Sequence, residues 1–197
     1  MAEKPFSQAC ENNQPPILKV LEQVFKPSLT VWEIGSGTGQ HACYFATQMP
    51  HLCWQPTDRR ENLAGIARWV HDTNRKNLFN PVALDVMDNP WPCTQIQGLF
   101  SANTLHIMNW QEVEIFFSRL KTYLSSGAAC CIYGAFNYYG RYTSQSNAQF
   151  DQWLKTRDPS SGIRDQETVV KLARSNDLCL IDDVAMPANN RLLIFQK

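Results

Sequence analysis

Residues 31–41, V-W-E-I-G-S-G-T-G-Q-H, carry the strongest chemical signal in the chain. Gly35, Gly37 and Gly39 alternate where an apolar run gives way to a helical pattern. A strand-to-helix turn built this way bends sharply and brings bare backbone close to a ligand. Three alternating glycines are more than a plain tight turn needs. Glu33, two residues ahead of the first glycine, adds a negative charge beside the loop.

These features discriminate between ligands. The dinucleotide fingerprint reads G-x-G-x-x-G, whereas here the second and third glycines stand one residue closer. No Gly-Lys-Ser/Thr follows, so the loop is not a P-loop. Glu33 repels a pyrophosphate and suits a cation. S-adenosylmethionine has a sulfonium, an ammonium and no phosphate, and it fits that description. Two carboxylates follow at the ends of the next two strands. Asp58 is placed to accept hydrogen bonds from both hydroxyls of a ribose. Asp85 is placed to accept from an adenine amino group, with Val86 packed on the ring. Alone, either is a solvated loop acid or a helix cap; together, beside a glycine loop, they mark a nucleoside site.

Further along, His106 follows a fourth strand by a few residues, at the edge where such sheets bind ligands, and it is the best candidate for a general base. The alternative is a structural histidine bonded to backbone. His41 opens a helix and has a local hydrogen bond as its simplest role; His51 and His71 sit in polar connections. Residues 136–147, F-N-Y-Y-G-R-Y-T-S-Q-S-N, leave a fifth strand next to the same edge. Tyr138 joins the catalytic candidates there. Asn137 and Tyr139 are candidates for orienting a small polar substrate, and Arg141 for pairing with a carboxylate on it. The polar stretch 6–13, F-S-Q-A-C-E-N-N, is either a lid over the ligand or a frayed end.

The elements that must hold these residues alternate. Ile17, Val20, Leu21 and Val24 form a helical stripe with Pro15 and Pro16 at its first turn. Strands are expected at 29–34, 52–55, 82–84, 98–102 and 128–133. Helices lie between them, one opened by an Asn109–Glu112 capping box. Asp165 is read as the cap of a last helix. Strands at 178–181 and 192–195 are too close together for a crossover helix and pair as an antiparallel hairpin. Only 136–164 breaks the alternation and reads as a long, substrate-facing loop. The expected fold is α/β and Rossmann-like: one domain over 1–197, with a seven-stranded, mostly parallel sheet and helices on both faces.

Composition narrows the function. Eighteen basic and eighteen acidic residues cancel, so no broad electrostatic footprint for nucleic acid or membrane is expected. No apolar run spans a bilayer and no secretory signal opens the chain. Seven cysteines without C-x-x-C spacing argue for reduced, mostly buried thiols and a cytoplasmic setting, with no metal site.

The pattern E-x-G-x-G-x-G, the acids closing strands two and three, and the final hairpin resemble a class I S-adenosylmethionine-dependent methyltransferase over the whole chain. F-S-Q-A-C-E-N-N at 6–13, E-I-G-S-G-T-G-Q-H at 33–41, W-Q-P-T-D at 54–58 and residues 136–147 are similar to the methyltransferase-like family called DUF938 (UPF0585, methyltransferase-like 26). The resemblance implies that Glu33, Gly35, Gly37 and Gly39 cradle the methionine part and ribose. It implies that Asp58 takes the ribose hydroxyls, Asp85 the adenine, and that Asn103 lies beside the sulfonium. Arg59 and Arg60 depart from the family's expected less basic residues after Asp58. The expected activity is methyl transfer to a small-molecule acceptor. A non-catalytic cofactor-binding module and a nicotinamide oxidoreductase are the alternatives; oligomeric state is not readable.

Overall fold

A computed structural model of the protein describes residues 4–27 and 29–197. The elements, in chain order, are α1 (Gln8–Val24), β1 (Thr30–Ile34), α2 (Gln40–Gln48), β2 (Cys53–Asp58), α3 (Leu63–Thr73), β3 (Val82–Ala83) and β4 (Ile96–Ala102). Then come α4 (Trp110–Tyr123), β5 (Leu124–Asn137), α5 (Gln145–Arg157), β6 (Arg164–Asp165), α6 (Gln166–Ser175), β7 (Cys179–Met186) and β8 (Asn190–Gln196). The sheet order is β3-β2-β1-β4-β5-β8-β7, with the short β6 pairing beside β5. β1 through β5 run parallel, and β8 pairs antiparallel with both β5 and β7. This is the α/β sheet with a closing hairpin expected from the sequence. The two-residue β6 is an additional strand.

Successive residues of the central strands face opposite layers, as a strand's period of two requires. Leu99 and Cys130 join Phe116, Phe117 and Leu120 of α4 and Val169 of α6 in one core. Phe100 and Cys131 join Ile17 and Leu21 of α1, Phe45 of α2 and Ile66 of α3 in the other. Burying each such large side chain stabilises the fold by about 1.5–3 kcal/mol relative to leaving it exposed. The helical layers thus clamp the sheet from both sides, fixing the strand ends that carry the site. Among the described residues, no helix is long and apolar enough to cross a membrane. All seven cysteines are free, but only Cys43, Cys130 and Cys131 are buried; Cys179 is exposed.

Three local expectations change. α1 starts at Gln8, a full two turns before the prolines, because the Ser7 side chain accepts from Cys10 N and caps it. Pro15 and Pro16 deprive the Glu11 and Asn12 carbonyls of their in-helix donors. Both residues are exposed, so water can satisfy them. β5 runs to Asn137 rather than ending near Tyr133. Half of the supposed loop is the helix α5, capped by Ser144 accepting from Asn147 N at 3.1 Å. Its buried positions include the polar Asn147 and Asp151, so it lacks the apolar stripe that identifies helices in sequence.

Candidate functional site

β1 ends at Ile34, and the chain turns through residues 35–39 into α2. Gly35 N and Ser36 N donate to Thr57 O at 3.1 and 2.9 Å, tying the turn to the end of β2. The three glycines, all at positive φ, do different work. A Cβ at Gly35 would lie 2.2 Å from Thr104 Cγ2, so the loop after β4 packs directly on that backbone. A Cβ at Gly39 would lie 3.2 Å from Ile66 Cα, so glycine here permits close α2–α3 packing. At Gly37 a Cβ would meet nothing within 4 Å. Gly37 borders a crevice of about 1150 Å³, and a side chain there would project into space that a ligand can use.

The crevice opens at the carboxyl ends of β1 and β4, where the strand order reverses, the usual ligand position in such sheets. Asp58 closes β2 and is buried. Its Oδ2 accepts from Gly37 N at 2.6 Å, and its Oδ1 from Arg59 N at 2.7 Å and Asn62 Nδ2 at 2.8 Å. The acid therefore fixes the loop as well as facing the crevice. Asp85, beyond β3, also lines it; Oδ1 accepts from Met87 N at 2.9 Å, and Oδ2 lies 3.1 Å from Arg59 Nε. Arg59 Nη2 in turn donates to Glu112 Oε1 at 2.8 Å, so the unusual arginine bridges two acids across this end. Val86 is buried on the same wall.

Glu33 differs from its sequence expectation. It is 1% exposed and lies behind the crevice wall rather than on it, with Oε2 accepting from Trp54 Nε1 at 2.7 Å. Burial pushes its carboxyl up to about 8, with the Asp58 charge adding to the rise. At neutral pH the loop is thus backed by a mostly protonated acid, not the fixed charge inferred from the sequence.

Asn103 stands just past β4 at φ 58°, a left-handed conformation that Asn tolerates better than most residues. Its side chain lies on the crevice, as does that of His106. Their segment is held from outside. Gly162 N donates to His106 O at 2.8 Å, Arg164 Nε donates to Leu105 O at 3.0 Å, and Arg164 Nη2 donates to Met108 O. Arg164 is a positioning residue that no sequence signal marked. His106 packs edge-on against Phe150, and burial, reinforced by Arg164, lowers its imidazole to about 4. It is a neutral group at physiological pH, free to accept a proton but weakly basic. His41 is also lowered to about 4 by burial, and its Nε2 meets Asn13 Oδ1 of α1 at 2.6 Å rather than a local partner.

The structure does not bring Asn137, Tyr138, Tyr139 and Arg141 to this crevice. β5 overshoots it, and the Tyr138–Arg141 turn lands on the far side, against α6 and β7. The Tyr138 hydroxyl donates to Asp183 Oδ2 at 2.6 Å, beside a separate groove of about 370 Å³. Tyr139 is 85% exposed, and its N–H donates to the Glu167 carboxylate. Arg141 is exposed, with its backbone closing the turn onto Tyr138. Asn137 ends β5 in register with Asp165. In their place the crevice gains Asn147, Phe150 and Arg157 of α5, with Cys10 and Asn13 of α1 and Tyr133 of β5. The segment 6–13 is not frayed: it opens α1 and covers one side of the crevice with Ser7, Cys10 and Asn13, while Gln14 Nε2 donates to Gln40 O at 2.9 Å and Ser7 N to Gln40 Oε1 at 2.6 Å.

Solved structures share this architecture. An O-methyltransferase family protein from Burkholderia thailandensis superposes with a TM-score of 0.82 at 16% identity, covering 93% of this chain and 56% of that one. An O-methyltransferase family 2 protein from Planctomyces limnophilus, solved with apigenin, gives 0.83 at 17% identity, covering 96% and 58%. Human N-acetylserotonin methyltransferase, solved with SAM, gives 0.76 at 14% identity, covering 93% and 51%. At these identities the likeness is one of fold, and the chain spans little more than half the length of each. Residues 4–197 match the family model described as "Protein of unknown function (DUF938)".

Proposed function

The chain belongs to the DUF938 family, and from that premise we propose that it is an S-adenosylmethionine-dependent methyltransferase with a small-molecule acceptor. The observation that carries this reading is the bare backbone of Gly37. It borders open space at the strand-order reversal, held by Asp58 at 2.6 Å. The residues fit the cofactor: the loop's cradle is one that any side chain at Gly37 would fill, and two carboxylates and a buried valine line the adjoining wall.

In this reading Gly35 and Gly37 form the floor under the methionine and ribose portions, while Gly39 acts through packing and Glu33 from behind the loop. Asp58 already accepts from three N–H donors; a carboxylate offers about four lone-pair sites, so one stays open to a ribose hydroxyl and a second hydroxyl must displace one of those donors. Asp85 takes the adenine amino group while Arg59 stays anchored on Glu112, and Val86 packs on the ring. Bound S-adenosylmethionine supplies a methyl group on a neutral-leaving sulfonium, open to in-line displacement. The chain then has to align the acceptor and exclude water. Asn103 lines the methyl position. His106 is held neutral and accepts the acceptor's proton where one must leave; with its imidazole lowered to about 4 it is a weak base, and it takes only a proton that the new bond has already made acidic.

Titration calorimetry tests the reading. S-adenosylhomocysteine should bind and NAD should not; Asp58→Ala should weaken that binding by up to a few kcal/mol, because ribose hydroxyls and the Gly37 N–H lose their acceptor. Binding of NAD with none of S-adenosylhomocysteine would overturn it. Cofactor binding with no transfer of labelled methyl to any metabolite pool would favour a non-catalytic module instead.

A further inference from the structure

Beyond Asn103 and His106 the crevice continues to a wall made by α5, and that wall has a chemistry of its own. The His106 ring meets Phe150 edge-on, with centroids 5.0 Å apart. Phe150 stacks on Trp153 at 5.9 Å and an interplanar angle of 19°. The Arg157 guanidinium lies over Trp153 at 4.6 Å. Phe150, Trp153 and Arg157 follow i, i+3, i+7, so they share one face of α5. Phe150 and Arg157 both line the crevice.

Arg157 forms no ion pair among the described residues. Its neighbour Lys155 is neutralised by Asp151 at 2.6 Å, and Asp158 turns Oδ1 to the N–H and hydroxyl of Ser160. The carboxylates that line the crevice, Asp58, Glu61 and Asp85, belong to the opposite end, near β2 and β3. The other arginine on the wall, Arg59, is already engaged by Asp85 and Glu112. The crevice is therefore polarised, with acids at the nucleoside end and an unspent guanidinium at the far end. Its volume of about 1150 Å³ also exceeds the roughly 300–1,000 Å³ of a single small-ligand pocket.

We infer that the acceptor is a planar, aromatic molecule bearing an anionic oxygen substituent, with its ring against Phe150 and its anion on Arg157. This rests on the methyltransferase reading and adds to it the class of acceptor. A phenyl face accepts a second ring in offset or edge-on geometry. Trp153 holds the guanidinium at 4.6 Å from its ring, and the guanidinium's N–H groups can then make a two-point bond to a carboxylate or phosphate. The acidic end repels the same anion, so the acceptor's charged substituent is directed to the Arg157 end.

The test uses the full chain saturated with S-adenosylhomocysteine and three acceptor-end probes: benzoate, phenyl phosphate and the neutral isostere benzamide. Calorimetry or ligand-observed NMR should show benzoate or phenyl phosphate binding about tenfold more tightly than benzamide. Arg157→Met should bring the anions down to the benzamide level while leaving S-adenosylhomocysteine affinity and melting temperature unchanged. Arg157→Lys should recover only part of the preference, and Phe150→Leu should weaken all three probes. Equal binding of benzamide and the anions, or an anion preference that survives Arg157→Met, overturns the inference while the cofactor reading stands. Failure of S-adenosylhomocysteine itself to bind brings down both.

Discussion

Gly35 and Gly37 look interchangeable in the sequence, and the structure separates them. Gly35→Ala places a methyl 2.2 Å from Thr104 Cγ2 at φ 76°, so it should strain the fold itself, lowering stability by more than the roughly 1–2 kcal/mol of a left-handed alanine. Gly37→Ala meets no atom. It should lose only the backbone term in thermal unfolding yet weaken S-adenosylhomocysteine binding substantially, because its methyl enters the ligand's space. Equal affinity loss in both variants, once folded, would show that Gly37 has no private contact with the ligand. The loop was legible because glycine spacing after a strand is a backbone requirement written directly in residue type. Asp58 and Asp85 were legible because strand ends in such a sheet share one edge. Glu33 was misread in one respect: a sequence shows a carboxyl, but its charge depends on burial that only packing reveals. Phe150 and Arg157, which line the far end of the crevice, escaped notice because their positions follow from where β5 stops. Four additional strand residues carried Tyr138 and Arg141 away and brought Phe150 and Arg157 in.

At the scale of elements, α1 and α5 are the walls that sequence pattern described least well. The Asn109–Glu112 box of α4 is present as read, with Glu112 N donating to Asn109 Oδ1 at 2.9 Å and Asn109 N to Glu112 Oε2 at 2.7 Å. Such a motif is local, its two hydrogen bonds joining residues three apart, and so it is readable from sequence. α1 is different, since its inner face docks through polar groups: Asn13 and Gln14 are buried, and Asn13 also serves the Tyr133 hydroxyl. Amphipathicity arguments count apolar positions and so begin the helix too late. The polar docking has a measurable consequence. Asn13→Ala leaves His41 Nε2 buried without its 2.6 Å partner, which should cost about 1–3 kcal/mol. Asn13→Asp, which keeps an acceptor of the same shape, should recover part of that loss. Denaturant unfolding of the two variants checks this; an unchanged midpoint for Asn13→Ala would mean that α1 does not depend on the contact.

For the molecule as a whole, the strand order and the hairpin followed from the alternation of elements and from the short 178–195 connection, because right-handed crossovers leave few other topologies. Between pH 4.5 and 7.5 the electrostatic response of the folded chain follows instead mainly from three buried groups. His41 and His106 hold their imidazoles at about 4, against 6.5 in the unfolded chain. Their contribution is present above pH 6.5 and is lost as pH falls through 4, since the unfolded chain binds those protons first. Glu33 is raised from 4.5 to about 8. Its contribution is complete below 4.5 and is lost as pH rises through 8, since the unfolded chain ionises first. Each group changes stability by about 1.4 kcal/mol per pH unit at most within its window. Between pH 4.5 and 6.5 the two histidines outweigh the single acid, so stability climbs; from 6.5 to about 7.5 Glu33 dominates and stability falls, and above that the thiols whose ionisation burial opposes, Cys43, Cys130 and Cys131 among them, add to the fall. Chemical denaturation across pH 4.5–8.5 should therefore give a maximum near pH 6.5. In Glu33→Gln, whose amide oxygen can still accept from Trp54, the decline between pH 6.5 and 7.5 should vanish, leaving only the later fall that the buried thiols cause. A wild-type curve that keeps rising from pH 6.5 to 7.5 would place an ionised carboxylate at position 33 and return the loop to the fixed charge its sequence suggests; an undiminished decline over that range in Glu33→Gln would show that Glu33 is not its source.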